Sequence, residues 1–227
     1  MSKGSQATYS NTHAEIQQNI MRFQNHITGL CETNVNWRNY GFRDSWERKM
    51  QAGFTTLYFS HSSCNEGNLH VLQQGGCSLL TTNRIGLKIT QRGQDHEMGR
   101  WAWKRFKLKG DQHMSVVTAY QVSQKSSHGF GMETAYMQQW RILKQRGSSC
   151  ESLQSAFWQD LHAQISIFQS NGDEIILILY ANLASEDADL GDLVSYLGLV
   201  DFHMNLHEAI PPETNRRGRK KIDFIFG

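Results

Sequence analysis

The chain has 227 residues, enough for one domain with a substantial buried core, and its 39% hydrophobic and 11% aromatic content excludes a disordered polymer. Its 23 Lys and Arg against 21 Asp and Glu leave a formal net charge of +2, so bulk charge neither demands nor excludes a polyanionic partner. The four cysteines, Cys31, Cys64, Cys77 and Cys150, form no CxxC pair and read as reduced, buried thiols. The longest apolar run, Ile175 to Leu179, is too short to cross a bilayer, and Met1 to Ser10 is polar without an apolar signal core. The expectation is an intracellular protein of the nucleus or cytoplasm.

In chain order, Ile16, Ile20 and Phe23 fall at helical spacing and predict an amphipathic helix over Ala14 to Asn25. Ile27 to Cys31 then reads as a short strand that stops at Glu32-Thr33-Asn34. Phe54 to Ser60 reads as a second strand, and Gly75-Gly76 breaks the chain before a third, Cys77 to Thr82. Trp101 to Lys107 and Met114 to Tyr120 are predicted strands, with Lys109-Gly110-Asp111 as the hairpin turn between them. Tyr136, Met137, Trp140 and Leu143 form a helical stripe that ends at Gly147. Ser148 and Glu151 have capping-box spacing ahead of a longer helix whose face carries Leu153, Phe157, Leu161, Ile165 and Phe168, and Asn171-Gly172 stops it. Glu174 to Leu179 is a continuous apolar run, as a strand buried on both faces requires. Leu190, Leu193, Val194 and Leu197 predict a shorter helix closed by Gly198. Lys220 to Phe226 is a final strand with Ile222, Phe224 and Phe226 on one face. Strands interleaved with helices, in hairpins as well as crossovers, predict one layered α/β domain over residues 1–227. The chain starts on a helix and stops inside a strand, which reads as a fragment of a larger fold.

One carboxylate holds the chemical interest. Glu32 alone would be an ordinary solvated loop glutamate, but Tyr120, Asn182 and Asp223 also stand at the ends of predicted strands. In layered sheets such ends commonly converge on one crevice. Mg²⁺ is typically held by one or two carboxylates together with substrate phosphate oxygens, so a single glutamate can suffice as the protein anchor.

Leu30-Cys31-Glu32-Thr33-Asn34, Gly75-Gly76-Cys77, Gly99-Arg100-Trp101, Thr118-Ala119-Tyr120 and Lys221-Ile222-Asp223-Phe224-Ile225 fall in order along the chain. In that order and spacing the sequence resembles the endonuclease/exonuclease/phosphatase superfamily, the deoxyribonuclease-I-like fold. More narrowly it resembles the endonuclease domains of retroelements that bear reverse transcriptases, to which Thr134 to Arg141 and Gly198-Leu199-Val200-Asp201 add. The resemblance covers nearly the whole chain. It implies a four-layered α/β sandwich with two packed mixed sheets, here incomplete at both ends, and cleavage of phosphate esters with Mg²⁺ or Mn²⁺. Carried over by position, Glu32 matches the metal-ligating glutamate, and Tyr120 the tyrosine that approaches the scissile phosphate. Asn182 matches the asparagine of an Asp-x-Asn motif that positions phosphate or water, and Asp223 the aspartate that orients a catalytic histidine.

The departures from the family pattern weigh as much. The expected carboxylate of Asp-x-Asn is Tyr180, within Tyr180-Ala181-Asn182, and the proline expected after the tyrosine is Val122. A phenol with an unperturbed pKa near ~10 does not readily take a proton from water at neutral pH. The family's first strand, with its asparagine, and the Asp-His pair beyond its last strand lie outside this sequence. Loss of one acid–base group commonly costs about 10²–10⁴-fold in rate. The expectation is therefore a metal-dependent endonuclease or phosphodiesterase domain, acting on nucleic acid (DNA foremost), with weak or no activity. The alternatives are a non-catalytic nucleic-acid-binding remnant of the same fold, and an active relative specific for another phosphate ester.

Arg216, Arg217, Arg219, Lys220 and Lys221 form the densest basic cluster. It reads either as a solvated loop or import-type tract, or as phosphate contacts leading into the Asp223 strand. Arg100 is a further candidate phosphate contact. Trp101 and Trp103 alternate on a predicted strand and read as core rather than as base-stacking platforms. His203 and His207 are placed near a loop and have no third ligand.

Overall fold

The apolar patterns resolve into two stacked sheets with helices on both outer faces, in a computed structural model that describes residues 4–65, 70–123, 134–147, 152–183, 188–207 and 221–227. The elements run α1 (Gly4–Arg22), β1 (Ile27–Cys31), α2 (Tyr40–Gln51), β2 (Leu57–Ser62), β3 (Cys77–Thr82), α3 (Asn83–Gly86), β4 (Ile89–Gln94), β5 (Trp101–Lys107) and β6 (His113–Tyr120). They continue with α4 (Ala135–Gln145), α5 (Leu153–Ser170), β7 (Asp173–Tyr180), α6 (Ala188–Leu197), α7 (Phe202–His207) and β8 (Asp223–Phe226). One sheet has the order β1-β3-β2 and is antiparallel throughout; the other has the order β4-β5-β6-β7-β8. Within the second sheet only β6 and β7 are parallel, and α4 and α5 lie on the crossover that joins them. The expected four-layered sandwich is what the chain builds.

Each layer follows from local chemistry. Ser152 caps α5 by accepting from the Ser155 amide at 3.0 Å, and Gly172 at φ +76° ends the helix past Asn171. Between these stops Leu153, Phe157, Leu161, Ile165 and Phe168 are all buried: the last four pack with Leu190, Leu193 and Leu197 of α6 against Leu177, Leu179, Phe224 and Phe226, while Leu153 packs with Ile142 and Leu143 of α4. In β7 the alternate side chains Ile176 and Ile178 turn inward instead, toward Leu79, Ala102, Phe106 and Val116 between the sheets. On the far side Trp46 and Met50 of α2 pack with Leu57, Phe59 and Leu80 on the outer face of the first sheet.

Sequence and structure part in several places. α2, the single turn α3, β4 and α7 are additional to the predicted elements, and α7 carries His203 and His207 on a helix rather than a loop. β2 starts at Leu57, later than Phe54. α4 is rotated from its apolar stripe: Met137 is 40% exposed while Gln138 and Gln139 are buried, the Gln139 amide donating to the Met98 carbonyl at 3.1 Å. Ser148, Cys150 and Glu151 lie outside the described residues. Cys64 and Cys77 are buried and Cys31 half-buried, all three as free thiols.

Polar side chains tie the layers together. Lys104 of β5 is wholly buried between the sheets, its Nζ donating to the carbonyls of Tyr58 (2.7 Å) and Leu79 (2.8 Å) and to Thr81 Oγ1 (3.1 Å). Among the described residues no carboxylate is hydrogen-bonded or ion-paired to it, and burial lowers its pKa to about 7, with the Arg92 charge adding to the effect. The unfolded chain holds that proton up to the ordinary lysine range, so between pH 7 and 10.5 folding releases it and stability rises with pH. Below pH 7 both states are protonated and the burial penalty is full. Lys104→Met should flatten this dependence, removing on the order of 3–4 kcal/mol of variation between pH ~7 and ~10 in urea titrations.

Gly99, at φ +70°, brings the start of β5 against the segment after β2: a Cβ there would stand 2.4 Å from the backbone of both Ser63 and Cys64. Gly99→Ala should therefore destabilise the fold by at least about 2 kcal/mol in the same measurement, far beyond the effect at Gly191, where a Cβ meets nothing.

Candidate active site

The C-terminal ends of β1, β6 and β7 and the N-terminal ends of β3 and β8 lie together at one end of the sandwich. Cys31 stands opposite Cys77, Tyr120 opposite Tyr180, and Tyr180 opposite Asp223. Beyond β1 the backbone is left-handed at Glu32 (φ 51°) and Asn34 (φ 54°), and beyond β7 it is left-handed at Asn182 (φ 53°). Such a conformation costs a non-glycine residue roughly 1–2 kcal/mol, and strain of this kind gathers where side chains must be aimed. Gly75-Gly76 holds the first turn. The Thr33 amide donates to Gly76 O (3.2 Å), the Asn34 amide to Gly75 O (2.8 Å), and the Gly75 amide to Asn34 Oδ1 (3.0 Å). Glycine is needed at Gly76: its φ is +83°, and a Cβ would lie 2.9 Å from Ser62 O.

Glu32, thus presented, is exposed, and its Oε1 accepts a 2.8 Å hydrogen bond from the Tyr120 hydroxyl across the gap between the sheets. Burial of Tyr120, seconded by the Glu32 charge, pushes its phenol far above the ordinary tyrosine range, so it donates and stays protonated. Tyr180 stacks on Tyr120 with ring centroids 5.8 Å apart. Its pKa is raised as well, by burial and then by the Glu32 and Asp223 charges. Beneath them the two thiols bind the sheets: Cys31 Sγ donates to Ala119 O and Cys77 Sγ to Arg100 O, each at 3.3 Å. Contact with Cys77 lowers the Cys31 pKa, while burial holds Cys77 well above the usual thiol value.

Of the residues singled out by sequence, Glu32 and Tyr120 touch, and Asp223 joins them through the strand register at Tyr180. Asn182 stands at the same end, its amide donating to Gln121 O at 2.6 Å. Arg100 is a correction. It is 3% exposed, donates from Nε to Asp95 (2.6 Å) and from Nη2 to Asp160 (2.8 Å), and lies over the Trp101 ring. Desolvated and neutralised, it locks β5 to α5 and offers nothing to a phosphate. Arg216, Arg217, Arg219 and Lys220 lie outside the described residues, and Lys221 is buried in an ion pair with Asp201. Trp101 packs in the core beside Phe157, as its alternation predicts.

Among the described residues no cluster of three or more His, Cys, Asp or Glu could enclose a metal ion. Glu32 fits the looser pattern in which one exposed carboxylate anchors Mg²⁺ and substrate oxygens and water complete the shell. Sequence reading missed the Cys31–Cys77 pairing, which is visible only once β1 and β3 are known to be neighbours.

No family model matches the chain, and no curated protein does. Solved structures do match. The human Nocturnin catalytic domain with a bound sulfate anion is 14% identical and superposes with a TM-score of 0.63 over 96% of this chain and 74% of its own. A Bacteroides thetaiotaomicron mannosyl-6-phosphatase is 12% identical, with a TM-score of 0.57 over 99% of this chain and 80% of its own. An endonuclease/exonuclease/phosphatase family protein of the same organism is also 12% identical, with a TM-score of 0.58 over 99% and 78%. The chain has the α/β sandwich fold of the endonuclease/exonuclease/phosphatase proteins.

Proposed function

We propose that the chain is a metal-dependent phosphodiesterase domain of retroelement endonuclease type, acting on nucleic acid with little or no turnover. The observation that carries this reading is the Glu32–Tyr120 pair, an exposed carboxylate aimed by a strained turn and by a phenol from the opposite sheet. A divalent cation at Glu32, Mg²⁺ or Mn²⁺, would neutralise charge on a scissile phosphate. Tyr120, kept protonated, donates a hydrogen bond to Glu32 and holds one carboxylate oxygen in place. Asn182 presents an amide and Asp223 an exposed carboxylate at the same sheet end.

Weak turnover rests on Tyr180. It occupies the position of the carboxylate that would hold and deprotonate water, and its raised pKa keeps it a phenol at neutral pH. This also favours the second reading, a nucleic-acid-binding remnant without catalysis.

Nicking of supercoiled plasmid in Mg²⁺ decides between them. The wild-type chain should cleave near background, and Glu32→Gln should remove what cleavage there is. Tyr180→Asp should raise the rate by about 10²-fold in a catalytic domain and leave it flat in a binding remnant. Brisk cleavage untouched by Glu32→Gln would overturn the proposal.

A further inference from the structure

At the edge of the second sheet away from Asp223, α2, β2 and β4 border a cleft of about 520 Å³. Arg38, Arg43 and Arg92 bring three guanidinium groups into its lining against the single carboxylate of Glu47. Two buried polar atoms there have no hydrogen-bond partner among the described residues: Arg43 Nε and the hydroxyl of Ser60, a residue 7% exposed. The carboxylates nearest Arg43 Nε, on Asp44 and Glu47, stand at 3.5 and 3.8 Å. Buried donors are normally satisfied, so this lining carries a surplus of donor capacity and positive charge that an acceptor-only anion would answer.

Aromatic surface accompanies the charge. Tyr40 is 64% exposed beneath the Arg43 guanidinium, which lies 4.6 Å from its ring centre. Trp37 is buried, stacked on His61 at 3.9 Å, and lines both this cleft and the recess of about 380 Å³ that contains Glu32. That recess lies against α1 and α2, and of the candidate active-site residues it reaches only Glu32.

We infer that this cleft binds a segment of single-stranded nucleic acid, its backbone phosphates on Arg43, Arg92 and the Ser60 hydroxyl and a base stacked on Tyr40. The inference rests on the nucleic-acid reading above and gives that substrate a binding surface at the β4 edge of the second sheet. Guanidinium groups interleaved with aromatic faces suit a splayed strand.

Anisotropy of a fluorescein-labelled single-stranded oligonucleotide, in EDTA to prevent turnover, tests it. The double variant Arg43→Gln/Arg92→Gln should bind at least tenfold more weakly. Its slope of log K against log salt should shrink by about 1.4, two phosphates at roughly 0.7 each. Arg43→Lys/Arg92→Lys should recover most of the slope, and Tyr40→Ala should cost about tenfold without changing it. Melting curves of each variant confirm the fold. Unchanged affinity and slope in the glutamine variant would overturn the inference while leaving the nucleic-acid reading intact. No oligonucleotide binding by the wild-type chain at low salt would overturn both. Competition by poly-glutamate as strong as by tripolyphosphate would assign the cleft to an acidic protein and overturn the inference as well.

Discussion

At the polar end of the sandwich the two sheets are tied by the hydrogen bond from the Tyr120 hydroxyl to Glu32. It can form only if three independent placements agree. β1 must end at Cys31, the turn held by Gly75-Gly76 must present Glu32 in its left-handed conformation, and β6 must run to its last residue before leaving the sheet. A slip of one residue in either strand would carry the partner side chain to the opposite face. The thiols of Cys31 and Cys77 sit just below and span the same gap to carbonyls of the second sheet. The end of the sandwich is thereby set to within the tolerance of a hydrogen bond, which is what a site for a small, acceptor-rich group needs.

The rest of the interior is held by polar groups with an equally narrow choice of partners. Arg100 divides its guanidinium between Asp95 and Asp160 and so fastens β5 to α5. At the far end of the sheet Arg105 grips the buried Asp173 carboxylate with two nitrogens, and Ser115 adds a third donor at 2.7 Å. Lys104 reaches across the core to carbonyls of β2 and β3. Breaking one member of such a set leaves its partner buried and unanswered, so these groups specify one arrangement of the layers as well as stabilising it.

Elements with strong apolar periodicity were legible from the sequence because burial on one face wrote them there. β1, β3 and β5 coincide with their predicted spans, and the buried stripe of α5 is the predicted one. β4 left no such mark: Thr90, Gln91 and Arg92 are exposed at the edge of the second sheet, where pairing with β5 rather than side-chain burial makes the strand. α2 carried a readable signal in Phe42, Trp46 and Met50 behind the cap at Asn39, diluted by the charged residues between them. The same two elements supply Arg43 and Arg92, so the basic cleft was invisible for the reason its walls were. Arg100 misled because its charge looked available in one dimension, whereas folding buries it between Asp95 and Asp160, the second far along the chain on a different element.

The parallel pairing of β6 with β7 also orders events in time. Tyr120 and Tyr180 are brought together across the long α4–α5 crossover, whereas the β5–β6 hairpin closes over a short loop. Non-local parallel strands are slow to form because the chain loses loop entropy before it gains contacts. During synthesis or refolding, Glu32 and Tyr120 can therefore find each other in a half-built sandwich, with the edge of β6 still bare. An unpaired β6 edge is a template for another chain until β7 pairs with it, so a partly folded chain is more exposed to aggregation than the finished domain.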